Sequence, residues 1–416
     1  MQRAVLGESA DSSLFGSGDF VRLWTVGGLA NALRWLEVLA ASLFTLDATG
    51  SELAVAAVAA ARSLPLLLMG GFAGVLADAL DRRQIVVGGM LLTAASSAVI
   101  VLLAATGVLL PWHLFAASLV SGLVYGTEMS ARRRMVGESV APPLMARAVA
   151  LDSLTGSASR VVGPLAGGIA YEWLGVFGAF LVSALLSLLA AFLAAQVRHR
   201  QITRSVSFGG VLADFREALV VVRATPVLLA LLGTTVAQNL FGFAYSSLMA
   251  PVGETVFGVS AAMVGVLAAA EPAGATIGGL LLAAKGQPPG RPVWLLMGGT
   301  ATFLAMMAAI PLAPWFWACC ALFLAGGFGI AVYSNVQTTI ALSEAPAAMR
   351  SRVLGLITAA IGTWPVGMLF AGWLADRIGP LLALGALGVA GLLWLSGVAT
   401  LYLRRRGMTP PTAPGA

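Results

Sequence analysis

The sequence predicts an all-α integral membrane protein in which twelve transmembrane helices form two pseudo-symmetric six-helix bundles. Three observations lead to this fold class. Hydrophobic residues make up 59% of the 416 residues and charged residues only 10%, which is more apolar surface than a soluble fold can bury. Apolar runs of about 20 residues, long enough to cross a bilayer core, follow one another from Phe20 to Leu403. An internal repeat divides the chain into similar halves.

Charges, prolines and glycine turns mark the limits of the predicted helices. The first six occupy residues 20–46, 53–76, 85–105, 113–130, 148–171 and 176–196. The second six occupy residues 227–250, 260–283, 293–311, 315–341, 352–374 and 381–403. The expected domains are an N-terminal bundle in residues 1–196, a basic cytoplasmic linker in 197–226, and a C-terminal bundle with a short tail in 227–416.

The basic residues alternate between the two sides of the predicted membrane. Arginine and lysine favour cytoplasmic loops, and most of the 24 basic residues fall on one side when both termini are cytoplasmic. Arg377 lies in an outer loop, while Arg34, Arg62 and Arg160 lie within predicted helices. An odd number of spans would scramble this alternation. We therefore expect a multi-pass protein of the cell membrane with both termini in the cytoplasm.

One fixed offset relates the two halves. A shift of 204 residues aligns Gly70 with Gly274, Gly74 with Gly278, Gly122 with Gly326, Pro142 with Pro346, Met145 with Met349, Gly163 with Gly367, Gly168 with Gly372, and Gly175 with Gly379. Two parallel repeats related by an axis along the membrane normal allow one bundle to rock against the other around a site at the midplane. We expect this arrangement within a monomer.

Two motifs lie in the first half. After the second predicted helix, residues 74–83 read GVLADALDRR, in which an acid at a helix end is followed by two cations. The fifth predicted helix carries GPLAGG at residues 163–168. Similar shorter segments are Phe20–Trp24, Thr49–Ser51, Arg216–Pro226 and Arg350–Gly355. Together these segments resemble the major facilitator superfamily over most of the chain, closest to its multidrug and secretion-effector exporters, which implies the two-bundle fold of that superfamily.

The resemblance also implies a cytoplasmic gate. Within the superfamily, the acid and the cation of the first motif pair across helix ends and lock one conformation. The corresponding residues here are Gly74, Asp78 and Arg82, with Glu128 at the end of the fourth predicted helix. The alternative is that these charges only set the membrane topology.

The fifth predicted helix has a face of small residues. Gly156, Ser159, Gly163 and Gly167 recur at steps of three and four, which allows another helix to approach closely. Pro164 permits a bend. The helix-packing motif comprises Gly163, Pro164, Gly167 and Gly168. Its resemblance to an antiporter motif implies proton antiport, and close packing alone is the alternative. The fourth predicted helix lacks the membrane-embedded arginine of many drug antiporters, which weakens the case for antiport.

Six ionisable residues fall within predicted helices: Arg34, Glu37, Arg62, Asp152, Arg160 and Glu271. A lone charge at the bilayer centre costs roughly 2.5–3.5 kcal/mol or more, so such groups pair, face the interior or line a water-filled path. Arg34 and Glu37 are three residues apart and able to pair. Since first helices line the central cavity in the superfamily, Glu37 is the leading carboxylate for a proton or a cationic substrate. A permanent structural pair is the alternative.

Two further acids complete the predicted coupling group of Glu37, Glu271 and Asp152. Glu271 precedes Pro272 and has no charged neighbour in its own half. It either reaches Arg34 or Arg160 or is protonated at rest. Asp152 and Arg160 lie two turns apart on one helix and serve either to brace that helix or to couple a proton or another ion to transport.

Polar residues of the first, fourth, seventh and tenth predicted helices supply the candidate substrate cavity, as the superfamily architecture implies. The candidates are Asn31, Arg34, Glu37, Tyr125, Gln238, Asn239, Tyr245, Tyr333, Asn335 and Gln337. Helical positions two apart face different directions. Either Tyr333 with Gln337, or Asn335, therefore faces the cavity.

Residues for catalysis or cofactor binding are scarce. Cys319 and Cys320 are adjacent in an apolar run, which suits neither a disulfide framework nor a metal site. No nucleophile elbow or phosphate-binding loop is present, and the cations form no basic face for nucleic acid. We expect no enzyme, cofactor or ATP-driven pump. The resemblance implies proton-coupled export of a drug-like compound or a secreted metabolite such as a siderophore, with a solute importer, a uniporter or a non-transporting sensor as alternatives.

Overall fold

The computed structural model describes residues 13–65, 81–198, 211–286 and 288–407. Over these ranges the chain is helical and contains no strand. The helices of the first half are α1 (Gly18–Thr49), α2 (Glu52–Ala61), α3 (Arg82–Ala105), α4 (Pro111–Glu138) and α5 (Met145–Ala195). Those of the second half are α6 (Val211–Ala224), α7 (Pro226–Ala237), α8 (Ala261–Lys285), α9 (Pro292–Ala309), α10 (Phe316–Glu344), α11 (Arg350–Ile361), α12 (Trp364–Ile378) and α13 (Pro380–Gly407).

The helices confirm a multi-pass membrane protein. In the described part of the chain, 9 helical segments are long and apolar enough to cross a bilayer. One of them, Pro142–Ala195, is broken at Gly175, where φ is 62° and ψ is −167°. This break separates the fifth and sixth predicted helices, because only glycine adopts such a conformation readily. The described part of α2 is short, and α4 is more polar than the others. The count of twelve spans stays a prediction.

Local sequence signals explain several helix ends. The Ser17 and Ser51 hydroxyls accept hydrogen bonds from backbone N–H groups in the first turns of α1 and α2. Asp81 does the same for α3 through the N–H of Gln84. Such caps satisfy donors that have no partner inside the helix. Asp81, which lies within the GVLADALDRR segment, therefore caps a helix.

The small-residue face of α5 packs closely on α1. A Cβ atom at Gly163 would lie 2.7 Å from the carbonyl oxygen of Ala32, and one at Gly167 would lie 2.9 Å from the Cα of Leu36. Both distances are shorter than real Cβ contacts. Gly367 on α12 makes the equivalent approach to Leu240, at 2.1 Å from its carbonyl oxygen. The aligned glycines of the repeat thus occupy equivalent positions in the two halves.

The two halves meet through α5 with α8 and through α2 with α12. A Cβ at Gly168 would lie 2.4 Å from the carbonyl oxygen of Ala261 in α8. Its repeat partner Gly372 approaches α2 in the same way, with its Cβ position 2.8 Å from the carbonyl oxygen of Glu52. These contacts lie where α2 and α8 begin, at one end of the molecule. We call this the closed end.

Candidate functional site

A central cavity of about 320 Å³ lies between the two halves. Five segments of the chain supply its walls, namely α1, α4, α5, the helical segment Pro226–Val256, and the α11–α12 junction. Its lining residues are Asn31, Arg34, Trp35, Tyr125, Met129, Arg132, Arg133, Asp152, Ser153, Gly156, Ser157, Arg160, Asn239, Phe243, Tyr245, Ser246, Ile361 and Trp364. The volume is in the range of small-molecule sites, which combine apolar walls with a few polar groups.

The cavity opens away from the closed end. Arg133, which lines it near the last turns of α4, has a side chain that is 54% exposed. Ser153 and Ser157 line the facing turns of α5. At the opposite end of the cavity, the α5–α8 and α2–α12 contacts separate it from the surface. The cavity therefore has an exposed edge at α4, away from the closed end.

Half of the predicted cavity residues line this cavity. Asn31, Arg34, Tyr125, Asn239 and Tyr245 do so. The remaining five predicted cavity residues are not among its lining residues; they are Glu37, Gln238, Tyr333, Asn335 and Gln337. Gln337 donates to the Tyr333 hydroxyl at 2.7 Å and to the Thr235 hydroxyl at 2.9 Å. Gln238 is fully buried, and the Asn335 amide donates back to Ala331 within α10.

The Glu37 carboxylate lies inside the first half and does not pair with Arg34. Its Oε2 contacts Nη1 of Arg62 at 2.9 Å. Its Oε1 accepts hydrogen bonds from Ser97 at 3.0 Å and Ser183 at 2.5 Å, and Ser121 lies 3.5 Å from Oε2. Sequence spacing favoured the pair with Arg34 because the two residues share one helix. Tertiary packing instead directs Glu37 toward hydroxyls on three other helical segments.

Arg34 has a different environment. Its guanidinium carbon lies 3.9 Å from the ring centre of Tyr125 and 4.8 Å from that of Trp35. A cation over an aromatic face is attracted by the ring quadrupole. Among the described residues, Arg34 makes no hydrogen bond and no ion pair, and its side chain faces the central cavity.

A buried ion cluster joins α4 and α5. Nε of Arg132 lies 2.8 Å from Oε1 of Glu128, and Nη1 of Arg132 contacts Asp152. Arg133 is 3.8 Å from the other oxygen of Asp152. Arg132 is only 1% exposed, and Gly27 leaves space for its guanidinium, since a Cβ there would lie 2.1 Å from Nη1.

The structure extends the fourth predicted helix beyond residues 113–130, since α4 ends at Glu138, and the added turns carry the buried Arg132. The sequence analysis did not single out Arg132. The spacing of four residues between Glu128 and Arg132 was the signal that could have found the pair. Of the two residues predicted to brace α5 or to serve coupling, Arg160 contacts α8 through Glu271, whereas Asp152 contacts Arg132 and Arg133 of α4.

The second buried acid, Glu271, joins the two halves. Nη2 of Arg160 in α5 lies 2.7 Å from Oε2 of Glu271 in α8. The Tyr245 hydroxyl donates to the same oxygen at 2.6 Å. The other oxygen, Oε1, is buried and makes no hydrogen bond to any residue that the structure describes. Of the two arginines proposed from the sequence, Arg160 is therefore the partner, and Arg34 is not.

The predicted gate is described only in part. Gly74 and Asp78 lie outside the described residues. Arg82 contacts Glu138 at 2.7 Å, at the end of α4. Glu128 lies in the buried cluster with Arg132, so its contact in the structure is with an arginine of its own helix.

Two acids that the sequence analysis missed lie at the closed end. Oδ1 of Asp376 on α12 accepts from the N–H groups of Glu52 and Leu53 at 2.7 and 3.3 Å. Glu172 on α5 accepts from the N–H of Ala262 at 2.8 Å. Each carboxylate thus caps a helix of the other half, where free N–H groups and the helix dipole favour negative charge. Glu172 and Asp376 are 204 residues apart, the repeat offset that could have found them.

The chain matches the protein family described as transmembrane secretion effector over residues 12–410. No protein of curated function matches it in sequence.

Solved transporter structures share the fold at low sequence identity. A bacterial homolog of the human lysosomal transporter Spinster, inward-facing and unoccupied, gives a TM-score of 0.70 at 17% identity, covering 92% of this chain and 95% of that chain. A POT family transporter in complex with 5-aminolevulinic acid gives 0.72 at 10% identity, over 94% and 98%. The nucleoside transporter NupG gives 0.67 at 13% identity, over 92% and 99%.

Proposed function

The chain belongs to the transmembrane secretion effector family of major facilitator transporters, and we propose that it exports a small molecule from the cell in exchange for protons. Family membership makes it a membrane transporter rather than an enzyme, with a small-molecule substrate and a lipid bilayer as its setting. The proposed cargo is a drug-like compound or a secreted metabolite such as a siderophore. To what family membership shows, the proposal adds the direction of transport, the coupling to protons and the class of cargo.

The proposed architecture has twelve spans in two six-helix bundles, residues 1–196 and 227–416, joined by the basic linker 197–226. The monomer lies in the cell membrane with both termini cytoplasmic, and no nucleic acid takes part. The break at Gly175 supports two spans within α5. The equivalent close approaches of Gly168 and Gly372 support the two-bundle repeat.

Alternating access follows from where the halves touch. They contact each other at the closed end and enclose an open cavity elsewhere. With cytoplasmic termini, the end of α4 and the start of α5 face the cytoplasm, so this conformation is inward-facing and accepts cargo from inside. Release outside requires the contacts of α5 with α8 and of α2 with α12 to open while the cytoplasmic ends close.

The Arg160–Glu271 contact carries the coupling proposal. It joins the two halves beside the cavity, and one buried oxygen of Glu271 makes no hydrogen bond to the described residues. In the proposed exchange, cargo binds in the inward-facing state while Glu271 is ionised and held by Arg160. When the halves separate at the closed end, Glu271 parts from Arg160 and takes up a proton from outside as cargo leaves. The proton passes to the cytoplasm when the halves close again and Arg160 re-forms its ion pair with the carboxylate. Of the three acids assigned to coupling from the sequence, Glu271 fits this role best. Glu37 is already compensated by Arg62, and Asp152 by two arginines.

Reconstitution of the purified protein in liposomes tests this proposal. The assay measures flux of a neutral, a cationic and an anionic aromatic compound, with and without a pH gradient, against protein-free liposomes. We expect the gradient to accelerate transport in the direction opposite to proton flow. Glu271→Gln should abolish this acceleration while downhill exchange persists, because the variant cannot gain or lose a proton. Glu344→Gln, at an exposed acid, is the control. A gradient effect that survives Glu271→Gln would refute the assignment.

A uniporter or importer on the same fold is the second candidate. It is favoured by the charge pairing itself, because an ion pair between Arg160 and Glu271 serves equally well as a fixed contact of the halves. Flux direction in inverted membrane vesicles separates the candidates. Export appears there as accumulation that a proton gradient drives, whereas a uniporter only equalises concentrations and an importer moves the compound the other way.

A further inference from the structure

The charged residues around the central cavity are balanced except at one position. Every buried acid near the cavity contacts an arginine. The pairs are Glu37 with Arg62, Glu271 with Arg160, and Glu128 and Asp152 with Arg132 and Arg133. Two acids face two cations in the last group. Arg34 is the cavity cation that remains, since no described acid contacts it.

The position of Arg34 leaves it able to bind a ligand. The guanidinium carbon lies 3.9 Å from the ring centre of Tyr125, and the N–H donors of a guanidinium lie in the plane of that group. These donors make no hydrogen bond to the described residues. A planar fork of charged donors matches a carboxylate in two parallel hydrogen bonds. One arginine suffices for such a pair.

The positive charge of Arg34 favours anionic ligands over cationic ones. A cation entering the cavity would meet a guanidinium whose charge no acid cancels, in surroundings where Coulomb forces exceed those in water. An anion would supply the missing partner. Specificity of this kind combines attraction for one class with repulsion of the other.

The aromatic residues of the cavity indicate the rest of the ligand. Trp35, Tyr125, Phe243 and Trp364 line it and come from both halves. Their rings offer apolar faces on which a flat or branched hydrophobic body can stack. Such a body would bridge the halves while its charged group stays at Arg34.

We propose that the central cavity binds amphipathic carboxylates, with the carboxylate on Arg34 and the apolar body among the aromatic rings. This assignment names the substrate class of the transport site and so rests on the proposed function for its biological meaning. The binding itself is a property of the cavity and requires no flux. It also reverses the expectation that Glu37 receives a cationic substrate, because the charge available to a ligand is positive.

Equilibrium binding to the purified full-length protein tests the proposal with three probes of one shape. They are 1-naphthoate, 1-naphthamide and 1-naphthylmethylammonium at about pH 7.5, where the acid is ionised and the amine is protonated. Tryptophan quenching reports occupancy because Trp35 and Trp364 line the cavity. We expect the acid to bind about tenfold more tightly than the amide, as for a hydrogen bond to a charged group, and the amine to bind most weakly.

Variants locate the site. Arg34→Gln should remove the advantage of the acid over the amide and leave amide binding unchanged. Arg34→Lys should keep part of it, because the charge remains and the fork is lost. Arg22→Gln is the matched control, since that cation lies on the same helix outside the cavity lining and contacts Asp19 at 2.9 Å, and its loss should change acid binding less than threefold. Arg34→Gln leaves no buried acid without a partner, so the variant should fold, which size-exclusion chromatography checks.

The outcomes separate this inference from the proposed function. Equal binding of acid and amide, tighter binding of the amine, an acid preference that survives Arg34→Gln, or no binding of any probe would each overturn it. If the acid preference is found but reconstituted protein moves no compound, the carboxylate site stands and the transport proposal fails. If cations are exported and the acid preference is missing, the transporter stands and the carboxylate site fails.

Discussion

The cost of burying charge explains which residues are paired in this protein. A buried ion pair is a weak source of stability, but removal of one partner leaves an uncompensated charge and costs about 3–5 kcal/mol. Glu37 is 4% exposed, and Arg62 lies against it with its Nε buried and not hydrogen-bonded to any described residue. The two side chains and the surrounding serine hydroxyls therefore form a structural unit. Arg34 lines the cavity, so its charge does not need a buried acid as a partner.

A prediction at this scale concerns the role of Glu37. Glu37→Gln should lower stability by about 3–5 kcal/mol because Arg62 is left buried without its partner. The double variant Glu37→Gln with Arg62→Gln should recover most of the loss, since two neutral amides replace the pair. Unfolding in detergent, followed by fluorescence, measures both. A stable Glu37→Gln protein that has lost only the response to a pH gradient would instead make Glu37 the coupling acid.

At the closed end, the two halves are joined by contacts to the N-termini of two helices, α8 and α2. α5 and α12 each carry a glycine that allows close contact with the other half and, one turn later, a carboxylate that caps the facing helix. Gly168 and Glu172 act on α8, while Gly372 and Asp376 act on α2. Contacts made by charge at a helix terminus are strong enough to hold a conformation and weak enough to open. Each contributes about 0.3–2 kcal/mol.

The cap on α2 yields the element-scale prediction. Asp376→Asn should weaken closure, because the amide keeps the shape and loses the charge that the first turn of α2 attracts. Spin labels at Thr49 and Ile378, both exposed and in different halves, report the separation by electron spin resonance. We expect a longer-distance population that grows several-fold, equivalent to about 1 kcal/mol.

Two further variants complete this experiment, one at the equivalent cap and one as a control. Glu172→Gln removes the equivalent cap on α8 and should act in the same direction. Arg377→Gln changes the neighbouring charge, which stacks on Trp373 of its own helix at 4.3 Å, and should leave the distances unchanged. Identical distance distributions in the wild type, Asp376→Asn and Glu172→Gln would show that the caps do not stabilise closure.

At the scale of the whole molecule, the internal repeat places equivalent contacts in the two halves. Four aligned pairs lie on α5 and α12, namely Gly163 with Gly367, Gly168 with Gly372, Glu172 with Asp376 and Gly175 with Gly379. Each pair serves the same use in its half, from packing on a neighbouring helix to ending the helix. Because equivalent residues close the same end, one motion can open both contacts together.

Orientation is the whole-molecule prediction. The distribution of arginine predicts that both termini lie in the cytoplasm. Epitope tags at the two ends should be protected from protease in right-side-out cells or vesicles and become accessible after permeabilisation. Tags on opposite faces would require an odd number of spans and would contradict the two-bundle repeat.

The sequence by itself determined the membrane setting, the family, the repeat and the small-residue faces of α5. These follow from hydropathy, charge alternation and spacing, which are one-dimensional properties. It also singled out six ionisable residues within predicted spans. A charge in hydrocarbon is costly, so such residues stand out in the sequence whatever direction their side chains take.

Only the tertiary structure decided which of these charges meet. Residues three apart on one helix, such as Arg34 and Glu37, favoured a local pair, yet Glu37 turned to Arg62 and Arg132 entered the interior between two acids. The caps by Glu172 and Asp376 likewise join residues distant in the chain. Charge pairing depends on distance in space and on the polar groups that neighbouring helices supply. The cation left over at Arg34 is therefore visible only once all the helices are in place.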